Sequence, residues 1–394
     1  MSLSRHVESL TSDHLPSYIY DLAALREHVA AVRAALPERV ELYYAAKANP
    51  ESRILAALRG SVDGYEVSSG GELAHVRAGV PDAPLAFGGP GKTPAEIADA
   101  LRLGVHRWHV ESEHELRMLA ELANGPVDVL LRANLPVASG SLDSVALAMG
   151  GRPTPFGLDP ARVADCLRLL AEPGYERLRL RGIHAHLASG LAASAQLAVA
   201  EQVVEWSMEL AAAHGVEFTE VNVGGGMAVD YRDPDARFDW TAFGTGLRAL
   251  LDRHPGLTLR IEPGRALTAY CGWYATEVLD VKQSHGEDFA VLRGGTHHLR
   301  TPATRGHDQP FAVTPVADWP HPWPRPAVTT GRVTLSGQLC TPKDVLAHQA
   351  PVDRLRAADR VVFAMAGAYA WNISHHEFLM HPRPAFHFLD ADEG

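Results

Sequence analysis

Eight short apolar runs, near residues 41–46, 64–68, 84–87, 107–111, 127–133, 179–187, 217–223 and 257–262, recur through the first two thirds of this chain. Each consecutive pair is separated by a segment with helical spacing, near 51–59, 71–79, 94–103, 113–123, 160–171, 192–214 and 240–253. Strand and helix alternating in this way predict an α/β fold, a (β/α)8 TIM barrel, with its longest helix at 193–214 after the sixth strand. From residue 272 the pattern changes to short strand-like runs at 273–281, 289–292, 332–338, 361–365 and 386–389, with turn residues between them and no long amphipathic helix. A second, β-rich domain is expected there, with an unassigned Pro/His/Trp-rich loop at 302–330. Residues 16–30 read as a short strand leading into a helix.

A chain of 394 residues can bury two cores of this size. No 18-residue apolar run is present, and residues 1–15 lack the apolar core of a signal peptide, so a cytoplasmic protein is expected. The net charge of −11, with no Lys/Arg cluster, argues against nucleic acid or an anionic membrane as partner. Cys166, Cys271 and Cys340 are too few and too scattered for a disulfide frame or a zinc site. His375, His376 and His381 could bind a metal, but the chemistry read below needs none, and no metal is expected.

In a barrel of this kind the active site lies at the C-terminal ends of the strands. The first strand ends on Lys47, a single amine that desolvation would turn toward the neutral nucleophile of Schiff-base chemistry. The loops after strands seven and eight are Gly224-Gly225-Gly226 and Glu262-Pro263-Gly264-Arg265. Consecutive glycines let backbone N–H groups close around a phosphate, and a guanidinium adds a charge-assisted contact. A ligand that meets both an amine and a phosphate cradle needs an aldehyde and a phosphate, and pyridoxal 5'-phosphate has both. Glu262 supplies a carboxylate for its pyridine nitrogen, His186 could stack on its ring, and Ser189 could reach its phosphate. Gly91-Lys92-Thr93 resembles a phosphate loop, but position 86 is Ala where that motif needs Gly, so a strand-to-helix turn is the better reading. Ser112 with Glu115 fits a capping box.

The set Ala46-Lys47-Ala48-Asn49, Ser69-Gly70-Gly71-Glu72-Leu73, His186-x-x-Ser189-Gly190, Gly224-Gly225-Gly226, Glu262-Pro-Gly-Arg265, Cys340 and Gly367-Ala368-Tyr369 resembles the fold-type III pyridoxal phosphate decarboxylases, the ornithine, arginine and diaminopimelate decarboxylase superfamily. Four further stretches resemble its siderophore branch, which includes the decarboxylase acting on citryl-diaminopropionate in staphyloferrin B assembly. They are Phe87-Gly-Gly-Pro-Gly-Lys92, Leu292-Arg-Gly-Gly-Thr296, Gly337-Gln-Leu-Cys-Thr-Pro-Lys-Asp344 and Ala370-Trp-Asn-Ile-Ser-His-His-Glu-Phe-Leu-Met-His-Pro382.

The resemblance implies an alanine-racemase-like architecture, with a cofactor-binding barrel at 35–270. A β domain from 1–34 and 271–394 is completed by the N-terminal strand and contributes to a dimer interface. Lys47 would carry the Schiff base, with Glu66 near its amine and His186 stacked on the ring. Ser189, Gly225, Gly226, Gly264, Arg265 and Tyr369 would hold the phosphate, and Glu262 the ring nitrogen. Cys340, lent across a homodimer, would return a proton after CO2 leaves. Where relatives have Lys-Phe-Gly, this chain has Pro155-Phe156-Gly157. Where decarboxylases of free diamino acids place an acidic residue after the cysteine, it has Thr341. With His297, His298 and Arg300 on the substrate side, the expected substrate carries carboxylates at its far end, citryl-diaminopropionate first. The alternatives are a free diamino acid (diaminopimelate, ornithine, arginine or lysine), a racemase, or a non-catalytic relative of the same fold.

Overall fold

The computed structural model describes residues 2–136, 147–148 and 150–390. Met1 and residues 391–394, expected in the β domain, and residues 137–146 and 149 of the barrel lie outside the described residues. After a short helix, Leu3–Ser9, strand β1 (Ser17–Asp21) is the first strand of the chain and belongs to the β unit. The eight apolar runs then form β2 (Val40–Ala45), β3 (Gly64–Val67), β4 (Leu85–Phe87), β5 (Arg107–Val110), β6 (Val127–Arg132), β7 (Leu178–His184), β8 (Glu220–Asn222) and β9 (Thr258–Ile261). All eight pair in parallel with their neighbours, and β9 returns to β2, closing the barrel. Strands covered by helices on one face and packed into a barrel on the other are buried on both, which is why they read as continuous apolar runs rather than alternating ones.

Several helices begin where side chains can satisfy their free N–H groups. Thr93 and Glu96 form a full capping box, while Ser69, Asp159 and Asp239 each accept one backbone N–H. The helix Ala193–His214, of 22 residues, stops on Gly215 in the left-handed conformation.

Charged residues of the barrel strands form one buried ionic network. Arg260, fully buried, bonds Glu41 and, at 2.8 Å, Glu220; Arg107 bonds Glu220 at 2.6 Å and Asp128 at 2.9 Å. The Arg260 guanidinium also lies 4.1 Å from the centre of the Tyr43 ring. Buried charges of this kind are tolerated only when each finds its partner, so the network constrains the register of strands β2, β5, β6, β8 and β9 together.

The chain divides into two compact units: one of residues 26–229 and 237–267, and a β unit made of the residues up to Leu25, Asp230–Ala236 and everything from Thr268 onward. The β unit is an eight-stranded sheet of β1, β10 (Gly272–Ser284), β11 (Glu287–Leu292), β12 (Phe311–Thr314), β13 (Arg332–Ser336), β14 (Val345–Pro351), β15 (Arg360–Phe363) and β16 (Ala385–Leu389). The N-terminal strand completes it, running antiparallel to β10 and parallel to β16. Val7, Leu10, Leu15, Ile19, Ala275, Val362 and Leu389 form a core beneath that junction. Two strands escape sequence reading. The β12 strand lies inside the stretch 302–330 that periodicity leaves unassigned and is only half-buried, and β14 carries Gln349 at a positive φ and ends on Pro351. Residues 230–236 join this unit because Tyr231 stacks near His307 and under Arg305.

Candidate active site

Lys47 sits in a single 3-10 turn, Ala46–Ala48, that ends β2. Its half-exposed Nζ pairs with Oε2 of Glu66, the third residue of β3, whose other oxygen accepts the Ser68 hydroxyl at 2.8 Å. Burial by itself would raise the Glu66 pKa, but the charge of Lys47 and the hydrogen bonds from Lys47 and Ser68 outweigh it and hold the carboxyl below its ordinary range.

Glu262 follows β9 and is 7% exposed. Its Oε1 accepts Nδ2 of Asn222 at 2.7 Å; Nε2 of His109 stands 3.6 Å from the same oxygen and Nε2 of His184 stands 3.7 Å from Oε2. The two imidazoles, from β5 and β7, stack with centroids 4.1 Å apart. Burial drives both ring pKa values well below the ordinary histidine range, with Arg260 adding to the effect at His109 and His109 at His184, so both rings are neutral. Burial, then the charge of Glu66, pushes Glu262 up to about 7.

The glycine triplet follows β8 after a single residue, Val223. At Gly225 a Cβ would lie 2.4 Å from the Glu262 carbonyl oxygen, and at Gly226, whose φ is +102°, it would lie 2.1 Å from that of Ala188. Only bare backbone can pass there. The His186 ring rests against Gly224, and Gln196 donates to the Gly225 carbonyl at 3.1 Å. Burial, then Arg132 and Lys47, lower the His186 pKa to about 3. Ser189 lies in a two-residue strand pair with Leu147 and Ala148, and Arg265 begins the short helix Arg265–Thr268 after Gly264, which packs against Ala45 and Ala48. One unit thus gathers Lys47, Glu66, His186, Ser189, Gly225, Gly226, Glu262, Gly264 and Arg265 at the strand ends.

The remaining expected residues belong to the β unit. Cys340 is exposed, next to Thr341, in a loop pinned by Asp344, whose carboxylate accepts the N–H groups of Thr296 at 2.6 Å and Leu339 at 2.9 Å. Tyr369 holds a positive φ of 49°, and its carbonyl accepts the Thr301 hydroxyl. His298 is buried with both ring nitrogens engaged, Nδ1 with the Tyr274 hydroxyl at 3.0 Å and Nε2 with the Pro382 carbonyl at 3.0 Å. His297, its ring centre 4.1 Å from that of His298 and tilted to it, is fully buried with neither nitrogen hydrogen-bonded among the described residues. Arg300 is exposed and anchored through its backbone N–H to Ser374 at 3.1 Å.

Several site neighbours went unread in the sequence. His109, Asn222, Glu111 and Arg132 all stand at strand ends, the same rule that singled out Lys47, but no local motif marks them. Glu111 accepts from Arg132 at 2.6 Å and from the backbone of Gly89 and Gly157, while Phe156 packs on the Arg132 guanidinium. Lys92 is buried, bonded to Glu115 and to the carbonyls of Gly89 and His109, as a strand-to-helix turn allows and a phosphate loop does not. Ser112 does cap its helix, but the Glu115 carboxylate is spent on Lys92 and the Glu111 N–H, so the capping box is half made.

A closed barrel with a lysine, a buried carboxylate and a glycine cradle at its strand ends matches the family model described as pyridoxal-dependent decarboxylase, pyridoxal binding domain, over residues 22–269, and the chain belongs to that family. It is a carboxy-lyase that uses pyridoxal 5'-phosphate. Among curated proteins, a 2-[(L-alanin-3-ylcarbamoyl)methyl]-2-hydroxybutanedioate decarboxylase of Staphylococcus aureus is 38% identical over 97% of this chain and 96% of its own length. A diaminopimelate decarboxylase of Actinosynnema pretiosum is 32% identical over 90% of this chain and 79% of its own length. In fold, the chain superimposes on the diaminopimelate decarboxylase of Helicobacter pylori with a TM-score of 0.86 over 99% of this chain and 94% of that one, at 22% identity.

The residues fit the cofactor. Among the described residues, His109 Nδ1, both ring nitrogens of His184 and His186 Nδ1 are buried without hydrogen bonds, and buried polar atoms call for a partner. The bare glycine backbone suits a phosphate, and a buried carboxylate poised near neutrality suits a cationic ring nitrogen.

Proposed function

We propose that the enzyme decarboxylates an amino acid whose far end is a carboxylate-rich acyl group, converting citryl-diaminopropionate to citryl-ethylenediamine in siderophore assembly. The observation that carries this reading is the near-full-length identity of 38% to a decarboxylase whose named substrate is that amide of citrate and diaminopropionate. Two features of the chain support it. Thr341 places no carboxylate beside Cys340 to pair with a distal amine, and Arg300, which follows the packed pair His297 and His298 in the chain, offers an exposed side chain to a carboxylate.

In this reading Lys47 Nζ is the amine that holds the cofactor covalently, and Glu66 with Ser68 keeps that amine in place. Glu262 receives the ring nitrogen, His186 covers the ring face, and Ser189, Gly225, Gly226, Gly264 and Arg265 hold the phosphate, with Tyr369 a further phosphate contact. Bound pyridoxal phosphate supplies the electron sink that makes loss of CO2 feasible. Cys340 Sγ then gives a proton to the substrate carbon that lost CO2. The exposure of Cys340 supports its being lent to a second copy, in a homodimer with two shared sites. Free cysteines suit the reducing cytoplasm, where we place the enzyme.

The test is CO2 release measured side by side on citryl-diaminopropionate, diaminopimelate, ornithine, arginine and lysine, with the parent enzyme and Arg300→Ala. The citryl substrate should be preferred and Arg300→Ala should narrow the preference; preference for any free diamino acid would sink the assignment.

A further inference from the structure

Asn222 ends β8 with its side chain fully buried. Its amide orientation is fixed, because Oδ1 accepts the Gly224 N–H at 2.9 Å. This turns Nδ2 toward Glu262 Oε1 at 2.7 Å and His109 Nε2 at 3.2 Å. An amide nitrogen carries two protons and has no lone pair to offer. Both of its contacts are therefore acceptors. The proton of the neutral His109 ring accordingly sits on Nδ1, and Nε2, 3.6 Å from Glu262, has none to give it. The second carboxylate oxygen, Oε2, makes no hydrogen bond among the described residues; its neighbour His184 Nε2 is 3.7 Å away.

We propose that Asn222 is a positioning residue: it commits one oxygen of Glu262, fixes the tautomer of His109 so that this ring cannot donate to the carboxylate, and so reserves Oε2 for the cofactor's ring nitrogen. Through Gly224 the same amide sets the start of the glycine loop, so one side chain ties the phosphate cradle to the aim of Glu262. The inference rests on the reading that Glu262 meets that ring nitrogen.

The charged and titratable groups around Glu262 are Glu66 from β3, Lys47 after β2, His109 from β5, His184 from β7 and Arg260 from its own strand. Burial and Glu66 favour the neutral acid; Lys47, the Asn222 hydrogen bond and Arg260 favour the anion. With the balance near neutrality, loss of one donor moves the titration upward, and the anion forms only at higher pH.

The test uses apoprotein of the parent, Asn222→Leu and Asn222→Asp, titrated with pyridoxal phosphate across the neutral pH range by fluorescence quenching. Thermal melting of each apoprotein verifies folding. Asn222→Leu is neutral and of similar size, so added charge cannot explain its effect. Asn222→Asp keeps the acceptor for Gly224, so loss of that anchor cannot explain its effect. In both, affinity should fall near neutral pH and recover as pH rises, by roughly tenfold for each unit that the Glu262 pKa moves. In nitrogen-15 spectra of histidine-labelled protein, with His109 assigned by its loss in His109→Phe, the parent ring should carry its proton on Nδ1, and Asn222→Leu should release that preference. If one variant fails to fold, the His109 tautomer in the parent still decides: a proton on Nε2 overturns the proposal. So does a shift in only one variant, or pH curves parallel to the parent's. A parent that failed to bind the cofactor would instead overturn the reading of the site itself.

Discussion

Lys92 and Glu115, 23 residues apart, form an ion pair at 2.7 Å with side chains only 1% and 6% exposed. The pair ties the loop after β4 to the start of the helix Glu113–Leu122, and through Lys92 it holds the carbonyl of His109. It is a structural support of the strand end that carries His109.

Replacing Lys92 with Met leaves the Glu115 carboxylate buried with one backbone donor, so Lys92→Met should lose about 3–5 kcal/mol of stability in thermal or denaturant unfolding. Burial already raises the Glu115 pKa, and losing Lys92 raises it further. A carboxyl with a raised folded pKa penalises folding above that pKa and is relieved as pH falls through it, so the deficit should shrink on acidification toward the unfolded carboxyl's range. Glu115→Gln added to Lys92→Met should recover part of the loss. Equal deficits at all pH values would contradict the account.

Lys47→Ala should abolish covalent attachment of the cofactor. The visible absorbance of the parent's bound cofactor, and its fixation to protein by borohydride, should both be missing from the variant, with turnover at background. Near-normal turnover would remove Lys47 from the mechanism.

With Cys340→Ala, CO2 release should continue while the product changes. Without an acid beside the substrate carbon the proton goes to the cofactor side, and hydrolysis leaves an aldehyde with the nitrogen retained on the cofactor. The amine formed per CO2 should fall by about a hundredfold or more, followed by product analysis. An unchanged amine yield at the parent rate would refute the role.

Lys47→Ala and Cys340→Ala chains, the first inactive and the second strongly impaired in amine formation, should regain amine-forming activity when mixed, because a hybrid dimer contains one intact shared site. Silence despite subunit exchange, demonstrated by tagged chains, would count against sharing.

The barrel was legible in the chain because its signal is local: eight buried parallel strands read as eight apolar runs, and the crossover helices between them carry their own periodicity, several with a side-chain cap. Lys47, Glu262 and the glycine triplet could be singled out by the rule that barrel chemistry stands at the strand ends, and Glu66 through the resemblance to a known family. What the sequence could not contain is partnership at long range. Asn222 and His109 are 113 positions apart, and nothing near either marks the contact; only closure of the barrel brings β5 and β8 to one carboxylate. The same holds for Glu115, whose spacing from Ser112 suggests a reciprocal cap until the fold supplies Lys92 as a stronger partner. It holds too for β12 and β14, short strands whose weak alternation becomes a sheet only against the neighbours that tertiary structure provides. Local pattern determined the barrel's elements and the strand-end chemistry of this protein. The tertiary structure decided which buried polar group answers which, because a hydrogen bond in the core depends on where two strands meet in space.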